Sequence, residues 1–502
     1  MTVPAPRASA EAAVGRLRWF ALTAILITHC MDLLDGMMVN TVAPVIRTGL
    51  HGSYLDLQWM AAGYTLAFAS LLITGGRLGD VFGRRRMLLV GTAGFTLASL
   101  LAGLSVNVEM VIAVRIVQGA CAAVMVPQGL GIMRELFPPR DLPKAIGMMG
   151  PVVGLAAIVA PVLGGALATG DLFGLGWRAV FFVNVPLGLV AVLGAARYVP
   201  DVRPEVRPEV RLGTRRLDWI GTVLAVGAMV LVAYPLMQGR TAGWPAWCFV
   251  SMAASVPVLA VLGLHQSRRA RAGRVPLIEP GLMRNGRFVA ALVVGVLYYV
   301  ALSGMMFALM VQLQTAHGFT ALGAGLAMVP WTLGSAVGSA AAGALLARRW
   351  SGLRMLQGGL ALLVAGAVGV IAVVSAGPAV TTWQLLVPLV LLGLGMGGVL
   401  TPYFNLALAM VSVPETGAAS GLLNSFQQLG NSIGYALLGT VFFSVLGDAP
   451  GDADGALKVT FWLAAGLLAA ACATAVLMRG RTTGPRPDRS LPARVPVDSR
   501  AR

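Results

Sequence analysis

Three residues able to hold a proton, His29, Asp32 and Asp35, recur at intervals of three within one apolar stretch, and a guanidinium, Arg115, stands inside another. Ionisable groups in a helix surrounded by lipid are costly and usually functional. A rise of about 1.5 Å per residue puts Asp35 about 16 Å and Arg115 about 10 Å from the same-side ends of their helices, close enough in depth to pair. A carboxylate beside an arginine is held ionised, whereas burial without that partner favours the protonated form. Moving the arginine, or replacing its contact with a cationic ligand, is therefore sufficient to trade a proton for a ligand. Asp32 lies one turn before Asp35, about 60° around the helix. It either shares proton or substrate duty or hydrogen-bonds a neighbouring helix. His29 is either the last rung of a proton ladder, since imidazole titrates near neutral pH, or a satisfied core histidine.

The elements that carry these residues follow from composition. Of 502 residues 57% are hydrophobic and 11% charged, less than half the charge density of about 25% that a water-facing protein of this size carries. Apolar windows of about 20 residues suit a hydrocarbon core of about 30 Å. Fourteen such windows run from 19–46 to 457–478. The first follows Arg16 and Arg18 but is far too long for a signal peptide and reads as a retained helix. With both termini cytoplasmic, 32 of the 37 basic residues fall on the inner side, which orients the chain by the positive-inside rule. That distribution also accounts for the net charge of +17 without nucleic acid, since no long polar basic domain is present.

Other chemistry finds little support. Cys30, Cys121, Cys248 and Cys472 stand singly in apolar segments, and His29, His51, His265 and His317 are scattered, so no metal site or enzyme centre is expected. No Walker-type loop is present. Only two lysines, Lys144 and Lys458, occur, a bias that suggests a GC-rich bacterial source.

After the second window comes Gly76-Arg-Leu-Gly-Asp80-Val-Phe-Gly83-Arg84-Arg85-Arg86. Glycines suit a tight turn where helices approach, and the carboxylate can meet an arginine or a helix N-terminus. This run resembles the cytoplasmic signature of the major facilitator superfamily. Further segments resemble, in order, its 14-helix drug:proton antiporter family: Leu34-Asp35 to Asn40 and Pro44 in the first window, Arg115-Ile-Val-Gln118-Gly119 in the fourth, and Ala160-Pro161-Val-Leu-Gly164-Gly165 in the fifth. Trp177-Arg178, Asn184-Val-Pro186-Leu-Gly188, Leu313-Gln314 and Ser420-Gly421 also fit. Met37 replaces a usual threonine, Ala160 the first glycine of the antiporter motif, Gln427 an arginine common in relatives, and Asn431 a glycine. Charge selectivity carried by that arginine therefore does not transfer.

The resemblance implies an all-α integral membrane protein of the major facilitator fold, with fourteen transmembrane helices as two six-helix bundles plus two inserted helices. The expected organisation is a cytoplasmic tail at 1–18, a first bundle at 19–196, a linker at 197–216, inserted helices at 217–264, a cytoplasmic loop at 265–287, a second bundle at 288–478 and a disordered basic tail at 479–502. Asp35, Asp32, Arg115 and His29 would serve proton coupling, and Gly76, Asp80, Gly83, Arg84 and Arg85 the cytoplasmic gate. Pro161, Gly164 and Gly165 form the antiporter motif, and Asn40, Gln118, Gln314, Asn424 and Gln427 are candidate cavity residues. Trp59, Tyr64, Phe307, Trp331 and Tyr403 could also line a cavity or anchor the chain at the membrane interface. The implied activity is proton-coupled export of hydrophobic or cationic small molecules from the cell membrane. No cofactor is needed beyond the proton gradient, the partners are substrate, protons and lipid, and the chain is expected to work as a monomer. The alternative is an exporter or importer of one metabolite. A faint second copy of the gate is expected where Gly343, Arg348, Arg349 and Arg354 follow the tenth window.

Overall fold

Polar caps set where the helices begin. Ser53, Asn107, Asp218, Asn285, Thr320 and Ser351 each accept a bond from a backbone N–H in the first turn of the helix that follows, satisfying donors the helix cannot pair internally. The computed structural model describes residues 6–201, 217–344, 350–377, 380–412, 415–447 and 453–479. Residues 202–216 of the linker, the basic tail from 480, and Arg348 and Arg349 of the expected second gate copy lie outside them.

Among the described residues, fourteen helices are long and apolar enough to span a membrane. The first bundle holds α1 (Leu17–Gly49), α2 (Tyr54–Phe82), α3 (Arg84–Gly103), α4 (Val108–Leu136), α5 (Leu142–Thr169) and α6 (Gly176–Tyr198). The inserted pair is α7 (Trp219–Gln238) and α8 (Ala246–Arg271). The second bundle holds α9 (Gly286–Thr315), α10 (Ala321–Gly343), α11 (Gly352–Ser375), α12 (Thr382–Leu408), α13 (Thr416–Leu446) and α14 (Ala453–Met478).

Several helices outrun their apolar windows. The helix containing α1 starts at Pro6, within the stretch expected to be a tail. α2 continues to Phe82, so Gly76 and Asp80 sit on its last turns, and only Gly83, at φ +94°, makes the turn into α3. α8 runs to Arg271, into the expected 265–287 loop. Hydropathy marks where lipid ends, whereas a helix ends where its backbone finds other partners or a glycine turns it; arginine stems extend such ends into the headgroup region.

The bundles repeat one packing scheme: α2 packs on α4 and α3 on α4, as α10 packs on α12 and α11 on α12. Glycines permit these approaches. A Cβ on Gly119 would strike the Tyr64 carbonyl between α4 and α2, and one on Gly397 the Ser335 carbonyl between α12 and α10. Across the seam, α2 meets α13 and α5 meets α10, a reciprocal pairing of second and fifth helices.

Helix ends alternate between a basic side, which holds the start of α1 and the end of α14, and a far side. Hydrogen bonds across the seam join far-side or mid-depth residues: Gln314 to the Thr41 carbonyl at 2.8 Å, Asn40 to the Tyr435 hydroxyl at 2.9 Å, Ser432 to the Ala62 carbonyl at 3.2 Å and Ser425 to the Ala69 carbonyl at 2.7 Å. Among the described residues, no hydrogen bond or ion pair ties the two bundles at their basic-side ends. Among the described residues, the seam is thus bonded shut on the far side.

Candidate functional site: a buried ion pair in the first bundle

α1 carries Asp35 into the middle of the first bundle, where it is 0% exposed, and α4 brings Arg115, 1% exposed, against it. The Arg115 Nη1 donates to Asp35 Oδ2 and, at 2.8 Å, to Gln118 Oε1. Gln118 Nε2 in turn donates to Asp35 Oδ1 at 2.9 Å. Residues three apart on a helix share a face, which is why Arg115 and Gln118 reach one carboxylate. Asn184 on α6 donates to the same Oδ1 at 2.7 Å and to Ser99 Oγ on α3 at 3.0 Å. α1, α4 and α6 thus meet at one charge, with α3 behind Asn184, and its cost of burial is offset by an ion pair and two amide hydrogen bonds.

Asp32 faces α2 instead, accepting from the Tyr64 hydroxyl. The Tyr64 ring lies under the Arg115 guanidinium, 4.2 Å from its centroid. Asp32, Tyr64, Arg115 and Asp35 therefore form one continuous chain of contacts. His29 is half-buried a turn nearer the basic side.

Two candidate cavity residues lie elsewhere than expected. Gln118 is enclosed in the Asp35 network, since it shares the inward face with Arg115, and Gln314 is tied into the far-side seam. Asn40 bridges the bundles through Tyr435. Asn424 is half-buried and bonded to the Ser420 carbonyl of its own helix at 2.9 Å, with Gln427 half-buried one turn on. Trp59 packs on Tyr234 of α7 and Phe307 on Tyr435, with ring centroids 5.9 and 5.8 Å apart, while Tyr403 and Trp331 are buried in the second bundle.

At the basic side, Asp80 accepts from Arg84 at 3.0 Å and lies 3.9 Å from Arg77, while Arg84 also reaches Glu135 on α4 at 3.1 Å. Gly131 leaves room for the Arg84 guanidinium to cross α4. Arg85 donates to the Ala196 carbonyl at the end of α6. All of these bonds stay within the first bundle. On α5, Gly164 admits Met38 of α1, Gly165 sits against the Ala321 carbonyl, and the Pro161 carbonyl fills the space beside Gly325. Pro161 and Gly165 thus belong to the α5–α10 half of the far-side seam, and Gly164 to the α5–α1 packing within the first bundle.

Two groupings were not legible beforehand. Asn184 and Ser99 complete the Asp35 site; in the sequence Asn184 figures only as the first residue of the run Asn184-Val-Pro186-Leu-Gly188. The second lies where the inserted pair meets the basic side. His265 and Gln266 reach Asp218 at 2.8 Å each, Arg269 lies 3.5 Å away, and Gln266 Oε1 accepts from the Leu277 N–H at 2.7 Å. Burial pushes the Asp218 carboxyl up, but the bonds from His265, the Gly221 N–H and Gln266, with the Arg269 charge, together hold it below the usual carboxylate range.

A family model described as Major Facilitator Superfamily matches residues 25–435 and 293–499. The chain is 42% identical over 455 residues to the probable actinorhodin transporter of Streptomyces coelicolor, covering 89% of this chain and 77% of that protein. It is 34% identical over 433 residues to the tetracenomycin C resistance and export protein of Streptomyces glaucescens, covering 86% and 77%. Among solved structures, an auto-inhibited peptide transporter of the POT family superposes with a TM-score of 0.66 at 18% identity, covering 94% of this chain and 99% of that one, a likeness of fold. With fourteen helices in two bundles and an inserted pair, the chain belongs to the Major Facilitator Superfamily, in its drug:proton antiporter branch.

Proposed function

We propose that this multi-pass membrane protein exports hydrophobic, often cationic, small molecules in exchange for protons. The basic side faces the cytoplasm, both termini included, and the closed seam faces the outside of the cell membrane. The carrying observation is the Asp35–Arg115 pair, buried together in one bundle with Asn184 and Gln118 as neutral donors. With the far side open, Arg115 withdraws, Asp35 takes a proton and substrate leaves outward. With the basic side open, Arg115 returns, the proton is released to the cytoplasm, and substrate enters between the bundles. Rocking of one bundle against the other supplies the alternation. No cofactor enters, the proton gradient provides the work, and one chain suffices. The second bundle contributes amides and aromatics, so monovalent or neutral substrates are preferred over divalent cations.

The names of relatives speak of antibiotic resistance and export, which supports export over import. The relative at 42% identity is named for a single compound, which favours a second reading, an exporter devoted to one antibiotic-like metabolite. The test is uptake into everted membrane vesicles under an imposed pH gradient, with a panel of dyes and antibiotics. Uptake should collapse when the gradient is dissipated and be absent in Asp35→Asn. Undiminished gradient-driven uptake by that variant would sink the coupling role, and uptake of one panel member alone would establish the narrow reading.

A further inference from the structure

Gln58 is 3% exposed on α2, near the far side, and its amide crosses the seam. Its Nε2 lies 3.2 Å from each of three acceptors on α13: the Tyr435 carbonyl, the Ala436 carbonyl and Thr440 Oγ1. It can reach that backbone because position 439 is glycine; a Cβ there would run into the Gln58 amide. Thr440 passes the connection on, donating to the Leu236 carbonyl of the inserted helix α7 at 2.8 Å. Away from water, none of these bonds has a solvent replacement when broken.

α7 is fastened to α2 along its length, by Thr222 to Thr74 at 2.9 Å, Met229 to Ser70 at 3.3 Å and Tyr234 against Trp59. Its hydrogen bond to α13 is at the far-side end. When the bundles part there, α7 therefore stays with α2, and Gln58 and Leu236 together lose α13.

We infer that Gln58 is the positioning residue of the far-side closure, and that α7 is a third member of it, engaged through Thr440. The inference rests on the alternating-access reading and adds to it a residue and a role for the inserted pair.

The test needs neither substrate nor pH gradient. In the full chain with its four native cysteines replaced, Ala321→Cys serves as reporter: Ala321 is 5% exposed in the other half of the seam, between α5 and α10. Labelling by a water-soluble maleimide then reports opening of the whole closure and not loosening around Gln58. Gln58→Leu, of similar volume without donors, and Gln58→Glu, an isostere that turns acceptors toward acceptors, should each label roughly ten times faster. Thr440→Val should label several-fold faster and Thr440→Ser, which keeps the hydroxyl, at the parent rate. Parent-rate labelling in the folded Gln58 variants would overturn the role of Gln58, and in Thr440→Val the role of α7. Gly165→Val, which drives a side chain into the Ala321 carbonyl, is the control. If it too fails to raise labelling, alternating access itself is at fault, whereas a responsive control with silent Gln58 variants refutes the latch alone.

Discussion

Asn184 donates to Asp35 at 2.7 Å while its own Oδ1, buried beside the carboxylate, takes no hydrogen bond among the described residues. As bonded, the amide favours ionised Asp35; turned over, it would present its oxygen to a protonated one. The residue is therefore matched to both states of the carboxylate. Asn184→Leu keeps the volume and removes both options. We expect a loss of about 2 kcal/mol in stability, as for a hydrogen bond to a charged group, and coupled uptake reduced at least tenfold. Thermal unfolding of purified protein and vesicle uptake measure the two; a variant with unchanged uptake would place Asn184 outside the coupling machinery.

Asp80 meets Arg84 at 3.0 Å within its own bundle, at the basic-side end of α2. Its side chain is 45% exposed, so the pair contributes at most about 1 kcal/mol here. On the proposed alternation, closing the basic side would bring the second bundle toward this carboxylate, where its charge would matter more. Asp80→Asn should leave the unfolding temperature nearly unchanged and slow transport by at least tenfold. Transport at the parent rate would remove Asp80 from the gate.

The Asp218 carboxyl is held below its ordinary range by partners that outweigh burial. A depressed carboxylate contributes stability that is fully present above the unfolded value of about 4 and is lost as pH falls through the folded value. Asp218→Asn should therefore destabilise the protein at pH 7, by about 1 kcal/mol or more for the weakened cap and pairs. The difference from the parent should hold level from pH 8 to 5 and shrink below about pH 4. Unfolding curves across that range check it; a difference that instead vanished above pH 5 would rule out the depressed Asp218 carboxylate as its source.

Tyr298 lies 1% exposed in the second bundle, and among the described residues nothing bonds its hydroxyl. An unsatisfied buried donor costs about 1–3 kcal/mol. Tyr298→Phe should raise the unfolding temperature, or leave it unchanged at worst, with transport intact. A fall of several degrees would show that the hydroxyl has a partner worth keeping.

Much of the architecture was written in one dimension. Lipid selects for apolar length, so spans, their number and the basic-side bias can be read without tertiary information. The short motifs around Asp80, Arg115 and Pro161 identified the superfamily because glycines and charges are rare enough in such helices to be noticed. Helix ends were less legible, since arginines continue α8 past the apolar window that hydropathy marks.

What only the folded chain decided is which polar group meets which. Gln118 and Gln314 read alike as amides in apolar helices; one is enclosed with Asp35 and the other ties α9 to the Thr41 carbonyl. Gln58 had no sequence signature beyond its type, and its importance comes from Gly439 and the Tyr435 and Ala436 carbonyls, residues more than 370 positions away. The scattered His265 acquires a partner in Asp218 only because α7 and α8 fold back together. By itself the sequence determined where lipid must be and which few charges it must tolerate, because burial of single side chains is a local cost. Partner choice belongs to the tertiary structure, because a hydrogen bond needs two groups within about 3 Å, and helix packing alone brings distant residues that close.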